Sequence, residues 1–402
     1  MTTLVLRGIG ELCTCDPRRG PPPGVVRNAA VLAEDGIVTF AGPEAGLPRI
    51  AAGEVTDEID CAGAAVIPGF VDAHTHLVWL GDRSGDYAAR AAGATYEGIA
   101  ASGGGIASTA RATSGGTEEE LVAAARQRAR AMLAQGTTTV EVKSGYGLGH
   151  DAEMRMLDAA RALQVDPDMP DVVTTYMPLH ARSAEPAYID DVCTRGVAAA
   201  EPRARFVDAF CERGAYSVAE CQRLFVAAAA HGLRVKVHAE QRSRSGGARL
   251  AARVGAVSAD HLEHASDSDL RALAAAGVNC VILPGAALML GGPPPPGRRA
   301  LDAGARLAVA TDCNPGTCYS ESMPLMLSLS VALAGLTPAE ALVAATAGGA
   351  HALEMRDRGA ISEGRRCDLV VLNSRAWIDV AYHLGGDVVR DVVLGGRLVR
   401  GR

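Results

Sequence analysis

Residues 68–83 read PGFVDAHTHLVWLGDR. An apolar run with strand character ends in His74-Thr75-His76, a second apolar run follows, and Asp82-Arg83 closes the stretch. Side chains alternate along a strand, so the two imidazoles point the same way. Burying two titratable rings is costly unless something pairs with them. They are either a satisfied pair of core histidines or ligands to a cation, and the rest of the chain decides between these.

Downstream, seven more short apolar runs recur: TTTVEVKSGYG, VVTTYMPLH, ARFVDAFCE, LRVKVHAE, AVSADHLEH, VNCVILPG and RLAVATDCN. Segments with helical pattern separate most of them, such as AEMRMLDAARAL, SVAECQRLFVAAAAHG, SGGARLAARVG and SDSDLRALAAAG, with Ser or Asp near their starts and Gly at several ends. With AAVIPGFVDAHTH this gives eight strands alternating with helices, the signature of an α/β protein built as a parallel (β/α)8 TIM-like barrel. Both ends of the chain read differently. The first 65 or so residues and the last 40 or so are short strands with turn punctuation, including Asp35-Gly36 and Gly395-Gly396 as two-residue hairpin signals. Neither end can bury a core alone, so the two are expected to form one small β-sandwich, with boundaries at 1–66, 67–356 and 357–402. The Pro-rich GGPPPPGRRA is expected to be a surface loop, and the Gly-rich ASGGGIASTAR (101–111) a flexible loop near the site, since it lacks the spacing of a phosphate-binding fingerprint.

In a barrel, the polar residue ending each strand lies on the C-terminal rim, where active sites of this architecture are built. His74 and His76 end strand one, His238 strand five, His261 and His264 lie on strand six, and Asp312 ends strand eight. Three imidazoles and a carboxylate suit a divalent ion such as zinc or iron with one position open to water. Each piece has a plain alternative: His238 as a hydrogen-bonded core histidine, Asp312 as the opening residue of a turn.

Together, PGFVDAHTHL, the strand-five and strand-six histidines and the strand-eight aspartate resemble the amidohydrolase superfamily. More narrowly, GDR, VEVKSGYGL, VDAFCE, VKVHAEQ, SADHLEH, ILPG and ATDCNPGT resemble its imidazolonepropionase family, from about residue 60 to the C-terminus. The resemblance implies one divalent metal ion, Zn or Fe, because the strand-four run RFVDAFCE carries no Lys that could bridge a second ion. It implies His74, His76, His238 and Asp312 as ligands, with His261 beside the ion without ligating it. It further implies hydrolysis of 4-imidazolone-5-propanoate to N-formimidoyl-L-glutamate, with a metal-activated water attacking the ring lactam carbonyl and Asp312 and His261 as catalytic residues. Arg83 is the natural partner of the propanoate, because its planar fork binds carboxylates bidentately; a salt bridge to Asp82 or Asp86 is the structural alternative. Tyr146, His180, Asn314, Gly316 and Thr317 match substrate contacts of the family, with a packed aromatic and a plain turn as alternatives for Tyr146 and NPGT. Some family members carry a carboxylate where Gln241 stands, and Gln can only hydrogen-bond the ring. His264 receives no role. Glu141, Lys143 and Glu212 are candidates for ion pairs that orient ligands.

Two other readings share these residues: a mononuclear-metal deaminase acting on another small heterocycle, and a catalytically silent ligand-binding barrel. Net charge −7, with no basic stripe, excludes a nucleic-acid footprint. No apolar span reaches bilayer length, and the N-terminus lacks the pattern of a secretion signal, so a cytoplasmic enzyme is expected, acting on a small anionic heterocycle with no membrane partner; the sequence leaves a homodimer open. Ten scattered cysteines without a C-x-x-C pair read as buried thiols, and Lys143 and Lys236 are the only lysines.

Overall fold

Gly69 divides the run that the sequence presents as one strand. A Cβ there would lie 2.3 Å from Thr138 Oγ1, so only glycine permits this close approach. Before it, Ala65–Pro68 pairs antiparallel with Leu369–Leu372 and parallel with Thr3–Cys13; after it, Phe70–Asp72 pairs parallel with Thr137–Lys143. One strand therefore feeds two sheets. The computed structural model describes residues 2–50, 57–183, 185 and 187–400; positions 51–56, within the N-terminal stretch expected to be short strands, lie outside the described residues.

The barrel strands are Phe70–Asp72, Thr137–Lys143, Asp171–Leu179, Phe206–Cys211, Arg234–Ala239, Ser258–His261, Asn279–Ile282 and Leu307–Val309. They pair in sequential parallel order, and the first and last meet just beyond their ladders. There Thr75 bridges Cys313, Asp312 N–H donates to His74 O at 3.0 Å, and Thr311 Oγ1 donates to Asp72 Oδ2 at 2.6 Å. The expected helices form behind capping residues: Ser217 and Glu220 make a capping box on Val218–Ala230, and Ser266 and Asp269 make another on Asp267–Ala275.

Alternation along the strands sorts side chains between two environments. Val140 and Val142 join Leu121, Met132 and Met156 under the surrounding helices. Glu141 and Lys143, between and after them, face inward, since Lys236 of the fifth strand reaches Glu141 of the second at 2.6 Å and these strands are not neighbours. Strands two and five can meet only through the barrel interior.

The terminal strands form one eight-stranded sheet, seven in a continuous path and the eighth, Asp57–Asp60, paired off it with Thr3–Cys13, around a separate core to which Leu4, Leu6, Ile9 and Val31 contribute from the N-terminal part and Ile361, Leu369, Val371 and Val393 from the C-terminal part. Asp35 and Gly36 (φ 46° and 80°) and Gly395 and Gly396 (φ 56° and 76°) all adopt positive φ, as two-residue type I′ hairpins require.

Two expected loops are shorter than their composition suggests. After the prolines, Gly297–Asp302 is helical, with Ala300 fully buried. Half of the Gly-rich run belongs to helix Ile106–Gly115, which buries Thr109, Ala110 and Thr113. In both places packing of one helical face outweighs the weak helix propensity of Gly and Pro nearby.

Candidate active site

The rim residues converge. His74 Nε2 lies 3.5 Å and His76 Nε2 3.8 Å from Asp312 Oδ1. The His74 ring centroid is 4.4 Å from that of His238 and 5.5 Å from that of His261. Two overlapping sets, His74–His238–His261 and His74–His76–Asp312, each place their ligand atoms within 4.8 Å of one another. Nδ1 of His74 is bonded to Asp260 Oδ2 at 2.7 Å and Nδ1 of His238 to Asp208 Oδ2 at 3.0 Å. A carboxylate on Nδ1 fixes the tautomer that leaves the Nε2 lone pair free, and both Nε2 atoms are buried without a hydrogen-bond partner. Burial, and then the charge of Lys143, hold His74 well below its usual pKa, so the ring is neutral. Inward-facing neutral imidazoles beside one carboxylate fit a divalent metal ion.

Asp312 is fully enclosed, and burial raises its carboxyl to about 7 against the opposing pull of His238, Asn314 and Thr317. Backbone strain gathers at this rim. Glu240, His261, Leu262 and Asp312 all have positive φ, at 51°, 78°, 73° and 52°, a conformation that non-glycine residues keep only where surrounding structure enforces it.

Above the cluster opens a cavity of about 430 Å³, and every residue expected to touch substrate lines it. His180 stacks on His76 with centroids 4.7 Å apart, and its Nδ1 meets Gly145 O at 3.1 Å. Burial holds His180 down to about 3, so its Nε2 is an acceptor. Tyr146 leans on both rings. Arg83 lines the cavity, and its Nε pairs with Asp86, the salt-bridge alternative, while Nη1 donates to Thr109 Oγ1 at 3.2 Å. Asp82 instead caps Ser84. Gln241 and His264 also face the cavity. The side chain of Asn314 is taken up by the turn: Nδ2 donates to Asp312 O and Thr317 Oγ1, and Oδ1 accepts from the N–H groups of Gly316 and Thr317. It shapes the loop through which Thr317 Oγ1 donates to Asp312 Oδ2 at 3.2 Å.

Reading from the sequence missed Arg90, whose Nη2 donates to Gly316 O at 3.0 Å, and Phe210, both on the cavity wall. It also missed Asp208 and Asp260. Their signal was present as acidic residues at inward strand positions, in VDAF and SADH, on the face that carries His238 and Lys236.

Buried glutamates pin the rim loops. Glu153 accepts the N–H groups of Gly145, Gly147 and Leu148 at 2.7–2.9 Å, holding the loop that presents Tyr146. Glu212 accepts the N–H groups of Arg242 and Ser243, and Glu240 those of Gly246 and Ala248. Glu212 thus supports a loop and does not pair with a lysine. Glu153→Gln turns an amide N–H toward one or more of those backbone donors and is expected to cost about 1–3 kcal/mol of stability in urea denaturation.

A family model described as the amidohydrolase family matches residues 65–399, and the chain belongs to that family. An imidazolonepropionase from Deinococcus radiodurans is 46% identical over 405 residues, covering 98% of this chain and 99% of that protein. One from Acidiphilium cryptum is 47% identical over 368 residues, covering 90% of each. Within the amidohydrolases, then, the chain is a member of the imidazolonepropionase family. Among solved structures it is similar to an adenosine deaminase from Xanthomonas campestris with bound zinc (TM-score 0.78, 20% identity, 100% of this chain and 93% of that one). It is likewise similar to a triazine hydrolase from Arthobacter aurescens (TM-score 0.77, 19% identity, 100% and 95%). At such identities these likenesses attest the fold alone. Among the described residues no helix is long and apolar enough to cross a membrane.

Proposed function

We propose that this chain hydrolyses 4-imidazolone-5-propanoate to N-formimidoyl-L-glutamate in histidine degradation, a cytoplasmic reaction, with one zinc or iron ion held by His74, His76, His238 and Asp312. The observation that carries this reading is one cavity with a guanidinium on its wall and the His/Asp cluster at its floor. That arrangement suits a small ring bearing a carboxylate.

When bound, the ion supplies Lewis acidity that polarises the lactam carbonyl and makes water nucleophilic near neutral pH. Arg83 pairs with the propanoate and fixes the ring's direction. The neutral His180 accepts a ring N–H, and Tyr146 and Gln241 hydrogen-bond its remaining edge. Asp312 takes a proton from the attacking water as its oxygen bonds to the lactam carbon, while His261 donates to the developing oxyanion. The C–N bond then breaks, the proton passes from Asp312 to the leaving nitrogen, and the lactam carbon becomes a carboxylic acid that gives its remaining proton to solvent, leaving the carboxylate.

The test is incubation of the purified protein with imidazolone propanoate and, separately, with purine and pyrimidine amidines. Formimidoyl-glutamate from the first and no ammonia from the others is expected. Ammonia release without formimidoyl-glutamate would make it a deaminase, and neither product would make it a silent barrel. Chelator treatment is expected to abolish turnover, and one equivalent of zinc or iron to restore it.

A further inference from the structure

Beneath the rim cluster lies a layer of five charged side chains, Glu141, Lys143, Asp208, Lys236 and Asp260, all with no solvent exposure. Both lysines of the chain are here, and two ammonium groups face three carboxylates. Lys143 Nζ lies 2.8 Å from Asp208 Oδ2, 3.0 Å from Glu141 Oε2 and 3.6 Å from Asp260 Oδ2. Lys236 Nζ lies 2.6 Å from Glu141 Oε2 and donates to Ala73 O at 2.9 Å. The two oxygens that flank Lys143, Asp208 Oδ2 and Asp260 Oδ2, are the same two that hold Nδ1 of His238 and of His74. Glu141 is held by both ammonium groups and by Thr175 Oγ1.

We infer that Lys143 is a positioning residue that sets the orientation of His74 and His238 jointly, so that residues from strands one and five present their Nε2 atoms to one ion as a unit. His74 and His238 are 164 positions apart in the chain, and a single ammonium between their two carboxylates gives a direct physical route by which the direction of one ring constrains the other. Buried ion pairs contribute little net stability against apolar replacements, but removing one member leaves its partners uncompensated. A central ammonium at this position therefore serves geometry more than stability. This inference rests on the metal reading above.

The test measures zinc affinity of the metal-free protein by competition with a chromophoric chelator, for the wild type, Lys143→Met, Asp208→Asn and the double variant. Each single substitution is expected to weaken zinc binding by about 10–100-fold, as loss of an outer support of a ligand does. Because both act through one unit, the double variant is expected to lie within about threefold of the weaker single one. Wild-type affinity in Lys143→Met, or fully multiplicative effects in the double variant, would overturn the inference. Zinc-free wild type that binds no zinc would instead overturn the metal centre itself. Should Lys143→Met fail to fold, wild-type protein carrying 15N-lysine provides two side-chain signals, one per lysine. At least one is expected to shift on zinc loading, and two unmoved signals would overturn the inference.

Discussion

Asp312→Asn is expected to lower kcat for imidazolone propanoate by about 10²–10⁴-fold, the range associated with loss of a positioned general base, with metal affinity reduced as well. The substitution isolates chemistry from folding. Asn keeps the shape of Asp, tolerates the left-handed φ of 52° at this position, and can still accept from Thr317 Oγ1. The bond from Asn314 goes to the backbone carbonyl of residue 312 and is untouched. What is lost is an oxygen basic enough to take a proton from water and hand it on to the leaving nitrogen. The comparison is made at saturating zinc, with melting temperature as the control for folding. A kcat within tenfold of wild type would remove Asp312 from the proton-transfer role.

Arg83→Met is expected to raise KM by about 10–100-fold with kcat changed only a few-fold, because a hydrogen bond between charged groups contributes roughly 1.5–3 kcal/mol. This split between KM and kcat follows from where Arg83 sits. It lines the cavity from the start of helix Ser84–Ala91, whereas the His/Asp cluster at which the proposed reaction takes place is a separate part of that cavity. Asp86, which loses its partner, still accepts Gly105 N–H at 2.9 Å, so the local structure has a second tie. Steady-state kinetics on the propanoate substrate decide the matter. An unchanged KM would assign Arg83 to the salt bridge alone and leave the carboxylate to Arg90 or Arg242 on the same wall.

The barrel and its rim were legible because they depend on short-range pattern. Apolar runs ending in His or Asp, separated by capped helices, dictate both the parallel order and the end of the barrel at which those residues gather. The two hairpins were legible because Asp-Gly and Gly-Gly encode positive φ locally. The interior layer was harder to read. VEVK and RVKVHA show the alternation plainly, yet nothing local says that Lys143 of strand two and Asp208 of strand four, or Lys236 of strand five and Glu141 of strand two, meet at hydrogen-bond distance across strands that are not neighbours. Helices at 106–115 and 297–302 escaped notice because Gly and Pro argue for turns, and only tertiary burial of Thr109, Thr113 and Ala300 argues otherwise. Asn314 shows a different limit: a sequence match places a residue at the cavity without revealing that its own turn already engages its amide.

Crystals of the zinc-loaded protein, with data collected on both sides of the zinc absorption edge, locate the ion directly. One anomalous peak is expected in the barrel, about 2.0–2.2 Å from a nitrogen of each of His74, His76 and His238 and from a carboxylate oxygen of Asp312. Catalytically active crystals with no peak there, or with a peak held by other residues, would contradict the account.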